Sequence, residues 1–120
     1  MALDAVIFHS MAEKKHIIAL NTCPDEENAG KIARLLVENG LAACVNIVPA
    51  IQSVYRWQGK IEQDNEVLLI IKTRPDKFSQ LEVLIRENHP YELPEIVAVP
   101  IETGLKEYLN WLDKSLETKQ

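Results

Sequence analysis

Apolar positions along this chain repeat with the strand period in some stretches and the helix period in others. The longest organised stretch runs from Val45 to Thr73. Val, Ile, Tyr and Trp dominate both of its ends, and such residues suit a pleated, half-buried surface. Gly59-Lys60 divides it into two arms, and glycine at the first central position predicts a two-residue type II′ turn. That turn sets Gln58 opposite Ile61, Trp57 opposite Glu62, Tyr55 opposite Asp64 and Ser53 opposite Glu66. Both arms exceed the usual strand of about five or six residues, so the hairpin reaches past its own domain or lies against a partner. Pro49 cannot donate to a ladder, which predicts a bulge or a change of partner there.

Within the second arm, both parities are apolar. Val67, Leu69 and Ile71 point one way, Leu68 and Ile70 the other. His16 to Thr22 reads alike, with Ile17 and Ala19 on one face and Ile18 and Leu20 on the other. Ile96 to Val99 has no polar parity either. These three strands are predicted to be buried on both faces.

Between the strands the spacing turns helical. Cys23-Pro24-Asp25-Glu26-Glu27 opens a first helix, with Pro24 at the first helical position and acids complementing the helix dipole. Ala29, Ile32, Ala33 and Leu36 form its stripe, and Asn39-Gly40 ends it. Arg74-Pro75-Asp76 starts a second helix, striped by Phe78, Leu81, Leu84 and Ile85. His89-Pro90 closes it, because a residue before proline leaves the α region. Thr103 is the predicted N-cap of a last helix carrying Leu105, Tyr108, Leu109, Leu112 and Leu116.

The order β-α-β-β-α-β-α predicts an α+β protein, a ferredoxin-like βαββαβ sandwich with a long central hairpin and an extra C-terminal helix. Two helices cover one face of such a sheet. The other face is apolar in three strands, and one short helix is too small to shield it. Self-association around a symmetry axis is therefore expected. Residues 12–120 form the single domain. Residues 1–11, with Met11 as an alternative start, are expected to be a frayed extension, a misplaced start or a cloning remnant.

Composition narrows the function classes. A chain of 120 residues is one domain. The formal net charge of −5, with no Lys/Arg cluster, argues against nucleic acid as a partner. No apolar run reaches the roughly 18 residues of a membrane span. The first fifteen residues lack a basic n-region and an adequate h-region, so no secretory signal is read there. Two cysteines without C-x-x-C spacing give neither a disulfide framework nor a zinc ribbon. A cytoplasmic protein with reduced thiols is expected.

Candidate chemistry gathers on His89-Pro90-Tyr91-Glu92-Leu93-Pro94-Glu95, a loop stiffened by two prolines. It reads either as a ligand or metal pocket, or as a rigid connection whose His caps the helix and whose Tyr packs on a neighbour. Cys23 stands where the first strand meets the first helix. A helix N-terminus favours a thiolate there, which would react or bind a soft metal; otherwise it is a small residue beneath a turn. Cys44 reads as core. Tyr55 and Trp57 share one face of the hairpin, with Arg56 on the other, and are expected to anchor an interface. Glu66 and Lys72 flank the buried part of their strand, either as a pair or as cleft residues. His16 is read as a solvated strand start, and His9 belongs to the extension. In the expected fold the first and fourth strands are antiparallel neighbours, so Cys23 meets the loop carrying His89, Glu92 and Glu95. A possible divalent metal ion, Cu²⁺ or Zn²⁺, is thus assigned to His89, Cys23 and Glu95. No nucleophile elbow, H-E-x-x-H or glycine-rich phosphate loop is present, and no enzymatic activity is predicted.

Several motifs carry a family resemblance. Tyr55-x-Trp57-x-Gly59, Glu66-x-x-Leu69-x-x-Lys72-Thr73 and His89-Pro90-Tyr91-x-x-Pro94-Glu95 resemble the CutA (CutA1) divalent-cation tolerance family. Thr22-x-Pro24-Asp25, Gly40-Leu41-Ala42-Ala43-Cys44-Val45-Asn46 and Tyr108-x-x-Trp111-Leu112 agree with it. The resemblance runs from about residue 16 to 116. It implies a ferredoxin-like subunit in a tight PII-like homotrimer whose neighbouring strands join edge to edge. It also implies a role in the response to copper and other divalent metals. The copper pattern implied by the family uses a cysteine late in the first strand and two consecutive histidines before the proline. Here those positions hold Asn21, and Asn88 with His89, which implies weak metal binding. The expected interface and cleft residues are Tyr55, Trp57, Glu66, Lys72 and Tyr91. Two functions compete: a trimeric divalent-cation tolerance protein, and a PII-like signalling module holding a small anionic ligand between subunits. Carboxylates and His lining the cleft would favour cations, whereas Lys72 and Arg56 turned inward would favour an anion.

Overall fold

The computed structural model describes residues 15–117, so the expectations for residues 1–11, including His9, lie outside the described residues. Its elements follow the hydrophobic periods: β1 (Ile17–Cys23), α1 (Glu26–Glu38), β2 (Cys44–Trp57), β3 (Lys60–Thr73), α2 (Phe78–Asn88), β4 (Ile96–Pro100) and α3 (Lys106–Glu117). The strands form one sheet in the order β2-β3-β1-β4, with each neighbouring pair antiparallel. This is the ferredoxin-like βαββαβ arrangement with an added C-terminal helix.

The core lies between the two first helices and one face of the sheet. Ala29, Ile32, Ala33 and Leu36 of α1, and Leu81 and Ile85 of α2, meet Ala19, Val67, Leu69 and Ile71. Ile32, Leu36, Leu69, Ile71, Leu81 and Ile85 are completely shielded from water, and burial of each such side chain is worth about 1.5–3 kcal/mol.

Helix ends show where local chemistry refined the sequence pattern. Pro24 precedes the N-cap of α1 and does not occupy the first helical position. Asp25 is the cap: its backbone is extended and its Oδ1 accepts the Asn28 N–H at 2.8 Å. A carboxylate there satisfies an orphan donor, which proline cannot do. Asn39 caps the other end, and Gly40 follows with φ 69°, as the Asn-Gly pair predicts. A single 3-10 turn, Pro75–Lys77, precedes α2. The start of α3 lies beyond the expected Thr103 cap. The β ladder extends to Ile101, whose N–H donates to the His16 carbonyl at 2.9 Å, and the first helical bond runs from Leu109 N–H to the Leu105 carbonyl. Gly104 between them disfavours an earlier helical start.

The hairpin turn is Gln58-Gly59, not Gly59-Lys60. Both residues have positive φ, 51° and 81°, the signature of type I′. Trp57 therefore faces Lys60, Tyr55 faces Glu62 and Ser53 faces Asp64. The slip from the expected register is an even number of residues, so every side chain keeps its predicted face.

The predicted disruption at Pro49 is a β-bulge between Val48 and Ile51, with Ala50 at φ 61°. Its effect is a change of phase. Before it, Asn46 and Val48 face Ile70 and Leu68; after it, Ile51, Ser53, Tyr55 and Trp57 face Glu66, Asp64, Glu62 and Lys60. The extra residue puts Tyr55 and Trp57 on the face opposite the helices, together with Glu66.

That second face is only partly covered. Leu112 and Leu116 of α3 are buried, and α3 lies against the end of β3. Asp113 ties it down through His16 Nε2 at 3.0 Å and Arg74 Nη1 at 3.4 Å. Leu68 and Ile70 remain half-buried, and Val97 and Val99 of the edge strand are 48% and 49% exposed. Within one chain, two-sided burial of these strands is thus achieved only on the helix side, because α3 spans one end of the sheet.

The turn generates a prediction. L residues at positive φ are strained by about 1–2 kcal/mol, and asparagine tolerates that region better than most. Gly59→Ala should lower unfolding free energy by about 1 kcal/mol, and Gln58→Asn should raise it. Urea denaturation of the two variants checks both signs.

Candidate functional site

Helix α2 ends at His89, whose backbone is already extended before Pro90. The imidazole turns back toward the end of β1. Its Nε2 lies 2.7 Å from the Thr22 carbonyl oxygen, and its Nδ1 accepts the Tyr91 N–H at 3.1 Å. Nε2–H is therefore the donor, and both ring nitrogens are engaged. The ring also lies 4.8 Å, centroid to centroid, from that of Tyr91. Asn21 makes the second tie. It is fully buried; its amide donates to the Glu95 carbonyl at 2.8 Å, and its Oδ1 accepts the Cys23 thiol proton at 3.4 Å. The end of β1 and the 89–95 loop meet as expected, with Asn21 and His89 forming the join.

The loop encloses a cavity of about 690 Å³ against the hairpin. Tyr55, Trp57 and Tyr91 provide its aromatic walls. Glu66, Glu92 and Glu95 contribute carboxyl groups, Thr22 and Ser53 hydroxyls, and Val54 and Leu93 apolar surface; no Lys or Arg lines it. Tyr91 donates its hydroxyl to Glu66 Oε2 at 2.7 Å, and Tyr55 reaches diagonally across the strands to donate to Asp64. Glu66 is only 8% exposed. Among the described residues it has no basic partner.

Proton affinities follow from these contacts. Burial, and then the nearby Asp25 and Glu66, push the Cys23 thiol up to about 12. The expected helix-stabilised thiolate does not form, because α1 begins at Glu26 and the Asp25 carboxylate caps it. Cys23 is a buried thiol. The bond to Asp64 raises the Tyr55 phenol to about 12. Burial first, and then Glu66, push Tyr91 upward. Tyr108 is raised by burial and by its contact with Cys44.

The other sequence candidates fall elsewhere. Lys72 faces Ile18 and Cys44, six positions along β3 from Glu66, or about 20 Å at ~3.3 Å per residue. Within one chain it does not pair with Glu66 and does not line the cavity. His16 is buried against Asp113, not solvated. Asn88 donates to the Leu84 carbonyl at 2.9 Å. Of the metal set His89, Cys23 and Glu95, only Glu95 lines the cavity, and no three His, Cys, Asp or Glu side chains converge as a metal-holding group among the described residues. Sequence reading passed over Asn21 as a joint, and it set Tyr55 opposite Asp64 without reading the hydrogen bond between them. The signal for Asp64 was present in the alternation of acids along the solvent-facing arm.

Comparisons with known proteins agree over most of the chain. The family model described as CutA1 divalent ion tolerance protein matches residues 17–115. The divalent-cation tolerance protein CutA of Thermus thermophilus is 53% identical over 95 residues, spanning 79% of this chain and 92% of the relative. A CutA homolog from Xenopus laevis is 48% identical over 112 residues, spanning 93% of this chain and 71% of the relative. Among solved structures, the Thermus thermophilus Cut A1 protein superposes with a TM-score of 0.80 at 52% identity, covering 81% of this chain and 94% of the other. A structure described as the periplasmic divalent cation tolerance protein CutA from Archaeoglobus fulgidus gives 0.82 at 46%, covering 84% and 98%.

All three tyrosines of the chain have phenols held above the ordinary value of 10.0. A raised folded value means that each contributes stability below pH about 10, and that this is lost as pH rises through the folded value. The folded protein should therefore show less phenolate absorbance at about pH 11 than the urea-unfolded chain, which titrates near 10. Melting temperature should fall above pH about 10. Phenolate titrating near 10 in the folded protein would contradict the hydrogen bonds to Asp64 and Glu66.

Proposed function

This chain belongs to the CutA1 divalent ion tolerance family, and on that footing we propose that it serves in tolerance of divalent metal ions as a homotrimer. Each subunit takes cations such as Cu²⁺ or Zn²⁺ weakly in its carboxylate-lined cavity. The family is non-catalytic, and this reading contains no reaction.

The observation that carries it is Glu66. A carboxyl group so deeply buried is unfavourable unless hydrogen bonds or a positive charge compensate. One phenol from Tyr91 is its hydrogen-bond donor, and no basic side chain reaches it. Glu92 and Glu95 line the same space. Within one chain neither Lys72 nor Arg56 does, which supports a cation over the small anion of a PII-like module.

The donor set also bears on affinity. Copper and zinc prefer imidazole and thiolate ligands. His89 has both nitrogens engaged and Cys23 is a buried thiol. Carboxylate oxygens remain, and these suit a loosely held divalent ion.

Assembly is supported by the uncovered sheet face. Leu68 and Ile70 are half-buried, Val97 and Val99 are exposed, and Val54 and Ile61 on the projecting hairpin are 65% and 63% exposed. Apolar surface of this extent suits contact with further copies. The family likeness implies three. We take the cytoplasm as the compartment, because both cysteines are free. No helix among the described residues is long and apolar enough to cross a membrane.

Two measurements test the proposal. Light scattering at micromolar concentration should return a trimer mass, and a well-folded monomer would overturn the assembly. Calorimetry with Zn²⁺ and Cu²⁺ should give dissociation constants on the order of micromolar or weaker, with oxygen-dominated ligation, weakened further by Glu66→Gln. Tight binding unaffected by that substitution would overturn the cavity as the cation site.

A further inference from the structure

We infer that the cavity between the hairpin and the 89–95 loop is a site for an organic ammonium ion, a small alkylammonium that carries no anionic group. The inference rests on reading the cavity as a cation site and concerns which cation fits it best.

Two features of the lining call for positive charge. Glu66 is more than nine-tenths buried without a basic partner among the described residues, and Glu92 and Glu95 border the same space. With no Lys or Arg in the lining, a phosphate or carboxylate on the ligand would meet only like charge. Size and donor geometry then separate a bare ion from an organic one. The volume, about 690 Å³, lies in the range of roughly 300–1,000 Å³ typical of small-molecule sites. Metal ions need several ligands at about 2.0–2.6 Å. Among the described residues no three His, Cys, Asp or Glu side chains converge in that way, so a bare metal ion is held only loosely there.

What the cavity offers in place of convergent ligands is aromatic surface. Tyr55, Trp57 and Tyr91 all line it. The face of an aromatic ring attracts an ammonium group, and a set of such rings with a carboxylate is the usual recognition chemistry for alkylated ammonium ions. The two phenols are turned to this purpose by their partners. Each donates its proton to a carboxylate, Tyr55 to Asp64 and Tyr91 to Glu66, so each presents only acceptor lone pairs to a ligand. Leu93 gives the alkyl body apolar contact. The ligand completes the set by supplying the charge that Glu66 lacks.

Calorimetry on the intact protein tests this with tetramethylammonium, butanediamine and neopentyl alcohol, the last an uncharged analogue of similar bulk. Both ammonium ions should bind, and the alcohol should bind at least about ten-fold more weakly. Trp57→Leu should weaken tetramethylammonium by about five-fold, in line with one cation–π contact. Glu66→Gln, which keeps the shape of the side chain, should weaken both ions at least as much. Light scattering on each variant confirms that it remains assembled. Equal binding of the alcohol, or binding of neither ammonium ion, overturns the inference. Zn²⁺ binding without ammonium binding overturns the inference alone. Ammonium binding without Zn²⁺ binding supports it and overturns the metal reading. Displacement of tetramethylammonium by Zn²⁺ supports one shared site.

Discussion

A β-strand can present only alternate side chains to either side, and β2 must serve two environments with opposite needs. Near its start, Val45 packs against the helix-side core, while Asn46 and Val48 face the other way. Farther on, Tyr55 and Trp57 must stand beside Glu66 on the face away from the helices. The single extra residue at Pro49–Ala50 reconciles these demands by advancing the alternation one step. Proline suits the point because no ladder donor is needed there. Ala50 accepts a positive φ, which is unfavourable for an L residue. The cavity depends on that one irregularity, since without it Val54 and Arg56 would occupy the places of Tyr55 and Trp57.

A second constraint fixes the opposite wall. The 89–95 loop is held by backbone carbonyls and buried amides, not by apolar packing alone. His89 joins α2 to the Thr22 carbonyl, and Asn21 joins β1 to the Glu95 carbonyl. Buried polar groups with every partner in place allow few alternative arrangements. No buried side-chain nitrogen or oxygen among the described residues lacks a partner. The loop therefore presents Tyr91, Glu92 and Glu95 at fixed positions, although it contains neither helix nor strand.

Much of this was legible from residue order. The element sequence, the helix stripes, the bulge at Pro49 and the pairing of the first and fourth strands followed from periodicity, proline and glycine. Errors arose where two local solutions are close in free energy. Gln58-Gly59 and Gly59-Lys60 both supply a turn glycine, and only the backbone shows that Gln58 accepts positive φ. The Pro24 and Thr103 assignments failed because a neighbouring residue offered the backbone a better arrangement. The site was harder to read. His89 is chemically able to bind metal, and nothing in its neighbours along the chain reveals that Thr22 and Tyr91 engage both its nitrogens. Cys23 likewise reads as activated until Asp25 is seen to cap the helix and burial is seen to dominate.

The tie between His16 and Asp113 has a topological consequence. These residues are 97 positions apart, yet their side chains touch, so the path of the domain nearly closes on itself. They meet beside Thr73 and Arg74, at the end of the sheet remote from the cavity. A segment fused before His16 would emerge beside one fused after Asp113, and both would leave the cavity mouth clear. Both ends of the described chain therefore lie away from the end of the sheet that carries the cavity.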